Sequence, residues 1–90
     1  MPYAVILKDR AGNASPLLPC NIHCDGTELE IDAELAYEYI KSSHTAQIVD
    51  DGDIVSEHKV LGYSFYGDTI INGVKASRCR EYLLVISNAS

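Results

Sequence analysis

Apolar residues along this chain fall in short blocks separated by polar and turn-forming residues, and these blocks predict strands more often than helices. Residues 3–8 form a continuous apolar run, which predicts a strand buried on both faces. Residues 81–87 form a second apolar run, which predicts a central strand. Alternating or β-branched segments predict further strands at residues 20–24, 28–31, 46–49 and 54–66.

One segment, residues 27–51, combines a helix cap, a helical period and turn residues. Asp32 suits the N-cap position, because its carboxylate can accept hydrogen bonds from amides of the first turn. Residues 33–42 then predict a helix of about three turns or fewer. The apolar side of this helix, which we expect to pack on the sheet, consists of Leu35, Ala36, Tyr39 and Ile40.

Turn residues separate the strands. Asp25-Gly26 is a strong turn signal, and Asn72-Gly73 suits the type I′ turn of a hairpin between residues 69–71 and 74–76. Gly62 offers a place for a bulge in the long strand at residues 54–66. Within that strand, alternation places three apolar side chains on one face, namely Leu61, Tyr63 and Phe65.

These elements predict a fold of the α+β class in a single domain covering residues 1–90. We expect a small, mostly antiparallel β-sheet or an open β-barrel, with one short α-helix at about residues 33–42. The chain shows no linker, internal repeat or low-complexity tract. A core this small leaves a thin stability margin, and chains of this size often depend on a staple, a metal or a partner subunit.

The charge balance argues against direct binding to nucleic acid. Seven Lys and Arg residues face thirteen Asp and Glu residues, which gives a net charge of −6, and nucleic-acid affinity depends on basic side chains. The acidity favours solubility, and it also fits an acidic surface that docks onto a basic partner protein. The start of the chain lacks a basic signal-peptide region, and no apolar run approaches a bilayer span. We therefore expect a soluble chain that is neither inserted into a membrane nor secreted through a signal peptide.

The cysteines allow two interpretations. Cys20, His23 and Cys24 form one C-x2-H-C cluster, to which Cys79 would add a fourth zinc ligand. Zinc sites commonly use two paired knuckles, however, and an odd number of thiols is typical of free cysteines in a reducing compartment. We expect buried free thiols, and neither a metal nor a cofactor. Asp50, Asp51 and Asp53 likewise lack the glycine and glutamate spacing of a calcium-binding EF-hand, so we expect a solvated turn.

No catalytic motif is present. The chain contains neither a G-x-S-x-G elbow nor an H-E-x-x-H sequence nor a P-loop. We expect His44 to lie at the end of the helix and His58 to face solvent on a strand, so neither is a convincing general base. The prediction is a protein without enzymatic activity.

Tyrosine is the dominant aromatic residue, with six copies against one Phe and no Trp. Exposed tyrosines are common anchors of protein interfaces. Tyr37 lies opposite the apolar side of the predicted helix, and carboxylates cluster in one turn. The residues that we expect to contact a partner are Glu34, Tyr37, Glu38, Asp50, Asp51, Asp53 and Tyr66.

Residues 26–51 resemble a pattern found in small proteins of tailed bacteriophages and prophages. A strand leads into a short capped helix and then into a strand that ends in acidic residues. The matching positions are Leu29-Glu30-Ile31-Asp32, Glu34-Leu35-Ala36, Ile40, Ala46 and Ile48-Val49-Asp50-Asp51. The resemblance covers less than a third of the chain and brings no catalytic residue with it. It implies a packing role in a virion or another accessory role in a phage, and with it a location in the virion or the host cytoplasm.

Three functional hypotheses follow from the sequence and from this resemblance. The first is a structural protein of the head, neck, tail or decoration of a tailed phage, which would pack against copies of itself or other virion proteins. The second is a phage-encoded acidic inhibitor of a host defence complex, similar to an anti-CRISPR protein, which would block a basic nucleic-acid-binding surface. Binding by such an inhibitor would weaken as salt increases. The third is a small enzyme or metal module built on Cys20, His23, Cys24 and Cys79.

Overall fold

Six antiparallel strands close into a β-barrel. A computed structural model of the protein describes residues 3–66, 70–71, 74–75 and 81–88. The strand order around the barrel is β1-β2-β3-β8-β5-β4, and β6 and β7 form a separate two-stranded sheet. The strands are β1 Tyr3–Lys8, β2 Leu18–His23, β3 Glu28–Asp32, β4 Thr45–Asp50, β5 Asp53–Tyr66, β6 Ile70–Ile71, β7 Val74–Lys75 and β8 Glu81–Ile86.

The structure confirms the predicted small antiparallel β fold and closes it further than expected. The barrel is closed, whereas the sequence predicted a sheet or an open barrel. The α-helix α1, Ala33–Ala36, contributes four residues. The helical content is therefore smaller than an α+β class implies. The antiparallel pairing of β6 with β7 agrees with the predicted hairpin, while Asn72-Gly73 lies outside the described residues.

The strands are strongly staggered around the barrel. A path of paired residues that begins at Asp53 returns to β5 at Phe65, twelve residues further along the same strand. The positions on this path are Asp53, Asp50, Tyr3, Cys20, Ile31, Tyr82 and Phe65. A large stagger requires strands tilted relative to the barrel axis. The fourteen-residue β5 meets this requirement by pairing with β4 along its first half and with β8 along its second half.

Alternate residues of the strands point into one apolar core. In β1, Val5 and Leu7 are buried and their neighbours are half-buried or exposed, so this strand is not buried on both faces as predicted. Strand β8 alternates in the same way, although it is central as expected. The largest fully buried side chains are Val5, Leu29, Ile31, Ile40, Leu84 and Ile86. Residues after α1 reach this core through Ile40, which helps to fill the barrel.

The predicted helix at residues 33–42 is shorter than expected. Asp32 caps α1 as predicted, and its Oδ1 accepts from the amides of Glu34 at 2.9 Å and Leu35 at 3.3 Å. Turns replace the helix from residue 37 onward, and the Ala36 carbonyl accepts from the amides of both Tyr39 and Ile40.

The predicted apolar side of the helix is consequently only partly correct. Ala36 and Ile40 are buried and Tyr39 is half-buried, but Leu35 is exposed and Ala33 takes its place in the core. The 3.6-residue period that grouped these side chains holds only while the helix continues. A four-residue helix is too short to keep Leu35 on the same side as Tyr39 and Ile40.

The sequence predicted the β4–β5 connection correctly, but it placed the end of β2 one residue too late. Strand β2 ends at His23, and Cys24 adopts φ 54° in a single 3₁₀ turn, so Cys24 does not continue the strand as predicted. The β4–β5 turn is tighter, because Asp51 and Gly52 alone separate the paired residues at its ends. Their φ angles of 53° and 85° are those of a type I′ turn. The predicted polar turn is therefore confirmed.

Candidate functional site

A groove of about 420 Å³ lies between α1 and the neighbouring end of the barrel. Its lining residues are Ala33, Glu34, Tyr37, Phe65 and Tyr82. The groove brings together two of the residues that the sequence predicted for partner binding, Glu34 and Tyr37. It is an apolar depression with one carboxylate at its wall, which is the composition of a binding surface with few orienting polar groups.

The end of β3 determines the helical wall of the groove. Asp32 ends this strand and caps α1 at once, so the helix begins directly at the rim of the barrel. Small buried side chains at Ala33 and Ala36 let the helix pack closely on the barrel. Tyr37 follows on the outer side and exposes 67% of its surface. The opposite wall comes from Phe65 and Tyr82, which are paired residues of β5 and β8.

Three aromatic rings form a cluster beside the groove. The ring centroids of Tyr63 and Tyr82 lie 5.8 Å apart at 81°, an edge-to-face contact. The centroids of Phe65 and Tyr82 lie 5.2 Å apart at 54°. Contacts of this kind stabilise a fixed ring arrangement. Tyr82 is almost fully buried at 7% exposure, whereas Tyr63 exposes 43% and Phe65 exposes 48%, so the cluster has a buried base and an open upper side.

The open side exists because β5 extends beyond β4. We define the β5 overhang as residues 61–66, in which Leu61 lies at a register shift and the residues from Gly62 to Tyr66 pair with β8. Pairing between β5 and β4 ends at Lys59 and Thr45. Leu61 is also exposed, and the register shifts between Val60 and Gly62, which confirms the predicted bulge. The overhang therefore presents an apolar surface and one strand edge that no other described strand covers.

Sequence reasoning found part of this site. Alternation predicted one face for Leu61, Tyr63 and Phe65. The structure confirms this for Tyr63 and Phe65, whereas Leu61 lies at the register shift, where alternation is interrupted. Tyr82 was recognised only as part of an apolar strand. The sequence does show aromatic residues at alternate positions of β5. Whether these side chains are open to a partner depends on the barrel register, which the sequence does not show.

The other predicted partner-binding residues do not join the groove. Glu38 lines a separate pocket of about 220 Å³ that also contacts Leu7 and Tyr39. Asp50, Asp51 and Asp53 lie in and beside the β4–β5 turn, where β5 begins, and the groove lies near the C-terminal end of β5. Twelve residues of strand at about 3.3 Å each separate Asp53 from Phe65 along the chain. Tyr66 ends β5, and its side chain lies outside the described part of the structure.

A polar cluster occupies the outer face of β2, β3 and β8. Asn21 Nδ2 donates to Glu30 Oε1 at 3.1 Å, and His23 Nε2 lies 3.7 Å from the same oxygen. The Asn21 bond, followed by a hydrogen bond from Glu81, lowers the pKa of Glu30 below its usual range. The hydrogen bond to Glu30 raises the pKa of Glu81, and the nearby Asp32 charge adds to this effect. The two shifts run in opposite directions because the carboxyl groups interact, so Glu81 keeps its proton to a higher pH than Glu30 does.

The thiols of the C-x2-H-C cluster lie in different environments. Cys20 points into the core, and burial raises its pKa to about 11. Cys24 is exposed, and its pKa is raised chiefly by a hydrogen bond and the charge of Glu28. Cys79 lies outside the described residues. Among the residues that are described, no three or more His, Cys, Asp or Glu side chains form a group suited to hold a metal ion.

His58 is buried, so the prediction that it faces solvent is wrong. Its Nδ1 lies 2.6 Å from the Ser87 carbonyl, which can only accept, and Nε2 lies 2.8 Å from the Ser56 hydroxyl. A neutral ring satisfies both contacts by donating from Nδ1 and accepting at Nε2. The neighbouring cavity of about 160 Å³ is lined by His58 and Ser87 but not by Ser56. The described contacts therefore anchor Ser87 to β5.

Comparisons of the chain with protein-family models, curated proteins and solved structures find no significant match. In the part of the chain that the structure describes, no helix is long and apolar enough to cross a membrane.

Proposed function

We propose that this chain is a non-enzymatic interaction protein that packs against other proteins through its groove and β5 overhang. The observation that carries the proposal is the group of partly exposed aromatic side chains at Tyr37, Tyr63 and Phe65 around one apolar depression. Burying such rings against a partner would gain hydrophobic free energy of about 25 cal/mol for each Å² of apolar area removed from water.

The geometry supports binding because the aromatic side chains are already held in place, so they lose little rotational freedom when a partner binds. The Tyr63 and Phe65 rings already rest on the buried Tyr82 ring. Preorganised aromatic side chains lose little conformational entropy on binding, and tyrosines often contribute strongly to interface affinity. Glu34 provides a carboxylate at the groove wall, which would orient a partner that offers a hydrogen-bond donor.

We further propose that the setting is the virion of a tailed phage, in its head, neck, tail or decoration. The resemblance of residues 26–51 to small phage proteins supports this setting. In the structure, this segment builds β3, α1 and β4, and so forms the helical wall of the groove. A virion also assembles proteins in many copies, which suits a surface that acts by packing.

Quantitative mass spectrometry of particles purified from the source host tests this proposal. We expect the chain to be present in particles and Tyr37→Ser to reduce its copy number at least about tenfold, which corresponds to about 1.4 kcal/mol of binding. Leu17→Ser is the matched control, because Leu17 is also exposed and does not line the groove. Absence from particles, or equal incorporation of Tyr37→Ser and Leu17→Ser, would contradict the proposal.

A second candidate function is the acidic inhibitor of a host defence complex. The grouping of Glu30, Asp32 and Glu81 around one outer pocket favours it, because these carboxylates concentrate negative charge at one place. Binding to a basic groove would then fall steeply with ionic strength. Replacing Glu30 and Glu81 by Gln should weaken such binding at low salt, measured by calorimetry against a purified nucleic-acid-binding complex. Equal affinity over about a tenfold range of salt concentration, from roughly 50 mM to roughly 500 mM, would exclude this function.

A further inference from the structure

The β5 overhang has one strand edge with which no strand among the described residues pairs. Strand β5 lies between β8 and β4, so its two neighbours use opposite edges. On the β4 side, the last contacts are the pair Lys59 and Thr45 and the bond from the Val60 amide to the His44 carbonyl at 2.9 Å. Beyond that point, no described strand pairs with this edge, because β6 and β7 pair only with each other.

The edge lacks the features that usually prevent strands from pairing. Natural edge strands are commonly protected by charged residues or prolines. Residues 61–66 contain neither, and their sequence is LGYSFY. The only such protection here is the bulge beside Gly62. The preceding half of β5 carries charge at Asp53, Glu57 and Lys59, so the uncharged part of this strand coincides with the overhang.

We propose that the occupant of this edge is a second copy of this chain, bound by antiparallel pairing of the two β5 overhangs. The inference rests on the proposed function, because it takes the overhang to be an interaction surface, and it names the partner. The product is a two-fold symmetric dimer in which the two barrels share one continuous sheet through β8 and β5 of each copy.

Antiparallel pairing makes this segment complementary to itself. A two-fold axis places residue i opposite residue j and residue j opposite residue i. An axis at Tyr63 places this residue opposite Tyr63 of the second copy and Leu61 opposite its Phe65. Tyr63 and Phe65 share one face of β5, because their partners on β8, Leu84 and Tyr82, are both buried. Aromatic cross-strand pairs stabilise such contacts by about 0.2–1 kcal/mol each.

Charge also favours a second copy at this place. Two chains that each carry −6 repel one another where carboxylates meet. The uncharged overhang avoids such contacts, and the acidic turn lies at the other end of β5. A partner recognised by opposite charge would find no charged residue to contact along residues 61–66.

The expected dimer is weak in dilute solution. Stable interfaces bury about 800 Å² per partner, which is a substantial part of the 5961 Å² surface of this chain. One short strand from each copy buries less than that. We therefore expect a dissociation constant in the micromolar range, on the order of 10–100 µM.

Analytical ultracentrifugation with a charge exchange at Tyr63 tests the proposal. The wild-type chain of 9.9 kDa should double its mass as concentration rises through the expected range. Tyr63→Lys and Tyr63→Glu should each raise the dissociation constant at least about tenfold, because like charges then meet across the axis. An equimolar mixture of the two variants should restore the dimer, because Lys then faces Glu.

Ile54→Lys is the matched control, since Ile54 is an exposed apolar residue of β5 that lies outside the overhang. It should dimerise as the wild type does. Circular dichroism checks that each variant is folded, and Leu61→Lys, at an exposed position away from the Tyr82 contact, replaces the Tyr63 variants if those unfold.

A wild-type chain that stays monomeric up to millimolar concentration would overturn the proposal, as would a dimer that is unaffected by the Tyr63 or Leu61 changes. Failure of the mixed variants to associate would also overturn it. These outcomes are distinct from the particle experiment. A monomeric chain that still enters particles through Tyr37 removes this inference alone, whereas a dimer absent from particles removes the proposed virion role alone.

Discussion

At the scale of single residues, the turns of this protein depend on backbone conformations that most side chains disfavour. Gly52 adopts φ 85° between β4 and β5, while Gly62 lies in β5 outside the positive-φ region. An added Cβ would meet no heavy atom within 4 Å at either position. Because neither position is crowded, a comparison of alanine substitutions at the two glycines isolates the effect of backbone conformation.

Gly52→Ala should lower the free energy of unfolding by about 1–2 kcal/mol, because a left-handed conformation strains any residue with a Cβ. Gly62→Ala should be neutral or stabilise by up to about 1 kcal/mol, because alanine restricts the unfolded chain. Urea unfolding of both variants measures the difference. Equal destabilisation by the two changes would show that the positive φ angle does not decide the effect at Gly52.

Residue-level predictions from the sequence succeeded where only near neighbours decide the outcome. Asp32 caps α1 because the amides it binds lie two and three residues further on. Asp51-Gly52 turns the chain because φ preferences belong to the residues themselves. His58 was misplaced because its contact with Ser87 spans 29 residues, and no local pattern contains that information.

At the scale of elements, α1 depends on its cap and its packing more than on helix propensity. Four residues are too few for a stable isolated helix. Asp32 satisfies two of the amides that the first turn leaves without partners. Ala33 and Ala36 hold the helix against the core. The position of the helical groove wall is therefore coupled to this one carboxylate.

Asp32→Ala should lower the free energy of unfolding by about 1 kcal/mol, the usual cost of losing an N-cap acceptor. Asp32→Asn is the control, because its amide oxygen keeps an acceptor and removes only the charge. Thermal unfolding at neutral pH compares the two. Should Asp32→Asn cost as much as Asp32→Ala, charge and not capping would be the stabilising contribution.

The strands were predicted more reliably than their arrangement. The long strand at residues 54–66 is β5 with a bulge at the expected place, because alternation and glycine chemistry are local. Barrel closure and the overhang are not local. They follow from the twelve-residue stagger between Asp53 and Phe65, which accumulates across every strand pair. The groove was therefore predicted only through Glu34 and Tyr37, and its opposite wall required the register.

At the scale of the whole molecule, the excess of negative charge is felt where Glu30 of β3 and Glu81 of β8 lie side by side and their pKa values shift in opposite directions. Glu81 has a pKa raised above its ordinary 4.5, so the stability it contributes is present below that value and is lost as pH rises through its folded pKa. Glu30 has a lowered pKa, so its contribution is present above 4.5 and is lost as pH falls through its folded pKa. The pair therefore favours the folded state most near pH 4.5.

Glu81→Gln should remove the part of this dependence that lies above pH 4.5. The amide can still donate to Glu30 but cannot lose a proton, so the variant should be more stable than the wild type near pH 7. The gain should stay below about 1 kcal/mol, because both side chains are only half-buried and water screens their repulsion. Urea unfolding at several values between roughly pH 4.5 and roughly pH 7.5 gives the slope of the free energy of unfolding against pH. Glu38→Gln changes net charge equally outside the cluster, and an equal gain from it would assign the effect to overall charge and not to this pair.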